Sequence, residues 1–263
     1  MALRCEARLA TRPRSLSVFS HMSGGTGRRP AVTVLLVAIA ACLGGPGCGP
    51  REAARPAETT RTRVEAGAAV EPGPSPVRPR IVALGDSLTA GFGLPPAQAY
   101  PALLQQRVDE AALGYEVVAM GVSGDTSAGG LSRLDWALEE DVRVLILALG
   151  ANDGLRGLPP QAMADNLGAI IDRAQARGIA VLLCGMEAPP NFGALYATEF
   201  REAYRRLARE KHVAFLPFML DGVAGVPSLN QADGVHPNEE GARRVAELVW
   251  AELRPMLDAM ATR

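Results

Sequence analysis

From Ile81 onward, short uninterrupted apolar runs alternate with longer stretches whose apolar residues recur at helical spacing. Ile81-Val82-Ala83-Leu84 is too short for a helix and carries no polar face, which is the pattern of a strand buried on both sides of a parallel sheet. Ala97–Leu113 has helical spacing through Leu103, Leu104, Val108 and Leu113, with Gly114 as its stop. Tyr115–Met120 reads as the second strand, followed by the glycine-rich turn Gly121–Ser127 and a helix to about Glu140. That helix offers Leu131, Leu134, Trp136 and Leu138 for packing. Val142–Leu149 is the strongest strand signal. Pro159-Pro160 opens a helix that Gly178 ends. Ile179–Met186 is a fourth strand, Leu195–Glu210 a helix and Val213–Leu216 a short fifth strand. Asn238–Leu257 closes the chain as a helix with Val245, Leu248, Val249 and Leu257 inward. Strands alternating with helices at these spacings predict an α/β fold, a three-layer α/β/α sandwich around a mostly parallel sheet of about five strands.

The stretch before this region has no such period. Arg28-Arg29 precedes the apolar run Ala31–Ala41, which is shorter than a membrane span and ends at Cys42. A basic flank, an apolar core and small residues predict an export leader over residues 1–48. Ile39-Ala40-Ala41-Cys42 resembles a bacterial lipobox. Cys42 is therefore the expected lipidation site, with Cys48 a second candidate and simple cleavage the alternative. Met22 would give a leader of more usual length than Met1, so residues 1–21 are expected to be an upstream extension or a misassigned start. Residues 49–78 are rich in Ala, Pro, Glu, Arg and Thr and read as a disordered tether. The folded domain is expected over 79–263, exported to the periplasm or held at a membrane as a lipoprotein.

Composition narrows the chemistry. The 27 Lys+Arg against 28 Asp+Glu offer no basic field for nucleic acid, and 5% aromatic residues give few stacking platforms. Of the four cysteines only Cys184 lies in the folded region, inside an apolar run, where it reads as a buried small hydrophobe. No CxxC pattern suggests a metal site.

Three of the strands end in polar or glycine-bearing turns, at Ser87, Gly124 and Asn152. In a parallel sheet those ends share one edge, where such sheets bind ligands. The late loop adds Asp233-Gly234-Val235-His236-Pro237. Acyl transfer needs a hydroxyl nucleophile, a base, an acid that fixes the imidazole tautomer, and donors for the oxyanion. Ser87 is the candidate nucleophile, His236 the base and Asp233 its orienting acid. The backbone N–H groups of Ser87 and Gly124 and the amide of Asn152 are the candidate oxyanion hole. Each residue also has a plainer reading: Asp233-Gly234 as a turn, Asn152-Asp153-Gly154 as a helix cap, Gly121–Gly130 as a phosphate cradle. The last lacks the GK[ST] ending of a P-loop and is no GxGxxG fingerprint. Asp86 points the wrong way to orient His236 and reads as structural; His212 reads as a surface residue. A binding protein using the same pocket, or an acyltransferase to an alcohol acceptor, fits the same residues.

Gly85-Asp86-Ser87-Leu88, Gly124, Gly150-Ala151-Asn152-Asp153 and Asp233-Gly234-Val235-His236-Pro237 resemble, in order, the four blocks of the GDSL or SGNH hydrolases. The likeness covers about Pro79–Leu257 and is greatest to the bacterial thioesterase, arylesterase and lysophospholipase branch. Ala151 stands where the family often has glycine. The resemblance implies a flavodoxin-like fold, no metal and no cofactor. It implies a Ser87–His236–Asp233 triad with Ser87, Gly124 and Asn152 as oxyanion donors. It also places Asp153, Pro189, Asn191 and Phe192 on the substrate side. The implied partner is a small acyl or aryl ester, thioester or lysophospholipid, with lipid-anchored membrane association through the amino terminus.

Overall fold

The computed structural model describes residues 78–262; the expected leader and all but the last residue of the expected tether lie outside the described residues. Five strands, β1 (Arg80–Gly85), β2 (Glu116–Gly121), β3 (Val142–Ala148), β4 (Ala180–Cys184) and β5 (Ala214–Leu216), form one sheet in the order β2-β1-β3-β4-β5. Every pairing is parallel. The apolar runs fall where the order requires them. Ile81, Val144, Leu145, Ile146 and Leu147 are inaccessible to solvent, while β2 at the edge is only half-buried. Each such side chain contributes about 1.5–3 kcal/mol by leaving water, so the central strands carry the core.

The helices are α1 (Ser87–Ala90), α2 (Tyr100–Glu110), α3 (Ser127–Ser132), α4 (Leu134–Ala137), α5 (Ala151–Leu155), α6 (Pro160–Ala176), α7 (Ala194–Lys211) and α8 (Glu239–Ala261). α2 packs on α8 in one layer; α3, α6 and α7 pack together in the other. Caps set their starts: the Asp86 side chain accepts from Leu88 N–H, Thr126 from Gly129 N–H, and Asn238 from Gly241 N–H. None of the described helices is long and apolar enough to cross a membrane.

Three expectations need correction. The helix expected over 97–113 is α2 alone, preceded by a 3₁₀ turn at Pro96–Gln98. The helix expected to run to Glu140 breaks at Arg133, whose φ of −107° and ψ of 10° lie outside helical values. In the short α4 that follows, Leu134 and Ala137 face the core together with Leu138 just after the helix, leaving Trp136 57% exposed. The closing helix continues past Leu257 to Ala261, tolerating Pro255 on its exposed face.

The order of the sheet places the site. From β1 the chain moves to one neighbour, β2, and then crosses to the other, β3. The crevice outside the carboxyl ends of β1 and β3 is the topological switch point where open α/β sheets bind ligands. Gly85 pairs in register with both Gly121 and Ala148, so the turns bearing Ser87, Gly124 and Asn152 leave the sheet at one level.

Candidate active site

Ser87 is the first residue of α1, directly after β1 and its cap Asp86. Its Oγ lies 2.9 Å from His236 Nε2, and His236 Nδ1 lies 2.7 Å from Asp233 Oδ2. These residues are 149 and 3 positions apart, so the contact joins the first strand to the last loop. Asp233 organises its own turn: Oδ1 accepts from Val235 N–H at 2.9 Å and His236 N–H at 3.0 Å. Those backbone bonds, led by His236 N–H, and then the bond to the ring lower its carboxyl to about 2. The Phe92 ring packs 4.6 Å from the imidazole. Gln231 fastens the two loops: its Nε2 donates to Phe92 O at 2.7 Å and Pro237 O at 2.9 Å. Nothing in the sequence pattern singled out Phe92 or Gln231, because each acts through a fold-dependent contact.

Three donors stand around Ser87. As the first residue of a helix it has an N–H without an intrahelical acceptor. Gly124 N–H has no backbone acceptor among the described residues, and its φ of 84° is open to glycine at little cost. Asn152 Nδ2 donates to Asp125 O at 2.9 Å and, less closely, to Asp86 Oδ2 at 3.3 Å. Asn152 reaches this point because Gly150 turns the chain at a φ of 112°, where a Cβ would collide with the Tyr204 hydroxyl. That hydroxyl in turn donates to Leu149 O at 2.8 Å.

The residues expected on the substrate side divide. Pro189 lines a cleft of about 710 Å³ that opens from Ser87, together with Leu88, Leu155, Met186 and Phe218. Asp153 does not: it is 2% exposed and turned into the protein. Its carboxylate accepts from Ser127 N–H at 2.8 Å and Ser127 Oγ at 2.6 Å, latching α5 to the start of α3. Asn191 and Phe192 stand outside the cleft wall. The Phe192 ring packs 5.3 Å from Tyr196, over a Gly157 that has no room for a side chain. Cys184 is buried, which pushes its thiol up to about 12, and His212 is an exposed helix end. Among the described residues no group of three His, Cys, Asp or Glu side chains could hold a metal ion.

Residues 83–244 match the GDSL-like lipase/acylhydrolase family. The chain is 43% identical to esterase TesA of Pseudomonas aeruginosa over 178 residues, covering 67% of this chain and 89% of that protein. The chain belongs to the GDSL-like lipase/acylhydrolase family. It is 36% identical to thioesterase 1/protease 1/lysophospholipase L1 of Escherichia coli over 179 residues, 68% of this chain and 85% of that one. A solved structure of the psychrotrophic esterase EstA from Pseudoalteromonas sp., inhibited by monoethylphosphonate, superposes with a TM-score of 0.65. That match is 31% identical and covers 68% of this chain and 98% of EstA. The five-stranded parallel sheet is that of SGNH hydrolases, and this GDSL-like protein is an ester hydrolase.

In this GDSL-like hydrolase the acid beside the nucleophile is poised unusually. Asp86 is 1% exposed, and burial raises its carboxyl to about 6 against the bonds from Leu88 N–H and the His236 charge. Folded protein thus holds that proton more tightly than unfolded chain. The Asp86 contribution is full below about pH 4 and is lost as pH rises through about 6. A shift of this size corresponds to about 3 kcal/mol. Wild type is expected to lose stability relative to Asp86→Asn between pH 4 and 7 in urea unfolding. A constant difference across that range would show that Asp86 does not titrate there.

Proposed function

We propose that this GDSL-like esterase hydrolyses carboxylic esters and thioesters of acyl or aryl groups, lysophospholipids included, through Ser87, His236 and Asp233. The observation that carries this reading is the unbroken Ser87–His236–Asp233 chain of contacts at the floor of a largely apolar cleft. Ser87 Oγ attacks the carbonyl carbon while its proton passes to His236 Nε2. The oxyanion that forms is met by the N–H groups of Ser87 and Gly124 and by Asn152 Nδ2. Asn152 can supply a hydrogen by releasing its longer bond to Asp86 while keeping the shorter one to Asp125. Collapse breaks the C–O or C–S bond, and His236 returns the proton to the departing alkoxide or thiolate. Water, deprotonated by His236, then attacks the acyl-enzyme carbonyl, and Ser87 takes the proton back as the acid leaves.

The cleft admits more than an acetyl group: about 710 Å³ lies within the range of small-molecule sites. Apolar walls favour acyl chains or aromatic rings over charged ones. The names of the two curated relatives, an esterase and a thioesterase/lysophospholipase, support the same substrate class. We place the enzyme outside the cytoplasm, exported by residues 1–48, acylated at Cys42 and tethered by residues 49–78. A panel of p-nitrophenyl esters and acyl thioesters of graded length tests the substrate reading. kcat/KM is expected to rise from acetyl to medium chains. A preference for acetyl over every longer chain would reject the cleft as the acyl site. Radiolabelled palmitate incorporation lost in Cys42→Ser tests the anchor.

A further inference from the structure

We propose that Arg133 is a positioning residue that holds all three oxyanion donors in register, a role that rests on the oxyanion-hole reading above. Arg133 sits where α3 gives way to α4, and its side chain reaches back to the carboxyl ends of the strands. Nε donates to Asp125 Oδ2 at 2.7 Å, one terminal nitrogen to Met120 O at 2.9 Å and the other to Gly85 O at 2.8 Å. A single planar fork therefore spans the end of β1, the end of β2 and the turn between β2 and α3.

Two of those points, Gly85 and Asp125, lead to the donors, and the third, Met120, ties the fork to the end of β2. Gly85 is followed by Asp86 and Ser87, so the bond to Gly85 O fixes the Gly85–Asp86 peptide, directly before the peptide that carries the Ser87 N–H. Asp125 follows Gly124 directly, so gripping its carboxylate sets the turn that aims the Gly124 N–H. The main-chain carbonyl of the same Asp125 accepts from Asn152 Nδ2 at 2.9 Å and so orients the amide. Gly85 O already accepts Val122 N–H at 3.1 Å, and Arg133 occupies its second lone pair. Arg133 touches neither a reacting atom nor the cleft; it acts only through the donors.

The local structure is arranged around this contact. Helical periodicity continues through residue 133, yet the backbone leaves the helix there. The guanidinium is largely buried with Asp125, their side chains 16% and 18% exposed. Such a pair adds little stability over apolar residues of the same volume. What a fork with fixed directions supplies is geometry, which a lysine ammonium cannot reproduce across three acceptors.

The test compares Arg133→Ala, Arg133→Lys, Asn152→Ala and the Arg133→Ala/Asn152→Ala double variant, with kcat and KM on p-nitrophenyl butyrate and a thermal midpoint for each. Displacing oxyanion donors by even about 1 Å can cost about 10²-fold. Arg133→Ala is expected to lower kcat about 10²-fold with KM within about threefold, and Arg133→Lys about tenfold. The double variant should fall well short of the product of the two single losses, because the Asn152 donor that one change removes is among those the other displaces. Unchanged kcat with a lowered midpoint in Arg133→Ala would make the residue merely structural and overturn the role. So would losses that multiply in full in the double variant. Should Arg133→Ala not fold, unchanged kcat in Arg133→Lys overturns it equally. If Asn152→Ala is slow while the Arg133 variants are not, only the Arg133 role fails. If Asn152→Ala is as fast as wild type, the oxyanion-hole reading itself fails.

Discussion

Ser87→Ala and His236→Ala are each expected to lower kcat by about 10⁵–10⁶, and the double variant to be no slower than either alone. The non-additivity follows from the geometry. Ser87 Oγ has a weak nucleophile's basicity unless Nε2, 2.9 Å away, takes its proton as the new bond forms. Without the base the hydroxyl cannot attack; without the hydroxyl no acyl-enzyme forms for an activated water to hydrolyse. Removing either therefore forfeits the whole step. What survives is binding and the oxyanion donors, a residue of about 10³-fold over water. The variants should fold normally: Ser87 is only half-buried, and the His236 ring is 20% exposed at the rim. Burst kinetics on p-nitrophenyl butyrate, thermal midpoints and labelling by a fluorophosphonate give the readout. Loss of labelling in Ser87→Ala and near-complete loss in His236→Ala are expected. A Ser87→Ala protein keeping more than about one hundredth of wild-type kcat would mean that another group is the nucleophile.

How much of this was visible before folding depends on the reach of each signal. The runs Ile81–Gly85 and Val144–Ala148 are legible because a strand buried on both faces has no choice but continuous apolarity. Ser87, Gly124 and Asn152 are legible as a group because parallel strands end on one edge, and the structure brings the three turns together there. Asp233 and His236 are legible as a pair through their spacing of three on a turn. Arg133 is not, since helical periodicity concerns which face a residue occupies and says nothing of a side chain that leaves the helix to reach carbonyls 13 and 48 positions back. Asp153 misleads for the opposite reason. An acid beside Asn152 suggests substrate contact, but the short α5 rotates its neighbour by about 100°, into the protein and onto Ser127. Phe192 follows the same logic: an exposed aromatic near the site finds Tyr196 and Gly157 before it finds the cleft. Fold and chemistry are thus carried by local pattern, while the supports of the site are carried by long-range contacts that only the assembled sheet creates.

Asp233→Asn is expected to lower kcat by about 10³–10⁴ with KM little changed. The argument turns on hydrogens rather than charge alone. In the wild type the carboxylate can only accept, so Nδ1 must carry the ring proton and Nε2 is left free to take one from Ser87. An asparagine can keep the accepted bonds from Val235 and His236 N–H through its oxygen, which preserves the turn. Its amide nitrogen then faces Nδ1 as a donor, which favours the tautomer with the proton on Nε2. The base then points a hydrogen at Ser87 Oγ and cannot act. The Asp233 side chain is 41% exposed, so water offers the ring an alternative acceptor and holds the loss below that of the nucleophile itself. Because the backbone N–H groups and the ring keep its carboxyl down at about 2, Asp233 stays ionised across any working range. Any acid limb that Asp233 contributes to the wild-type profile should therefore lie near pH 2, below the ordinary carboxylate range. A loss smaller than about tenfold in Asp233→Asn would show that Phe92 and the backbone alone fix the imidazole. Asp233 would then be a turn residue and not a member of the triad.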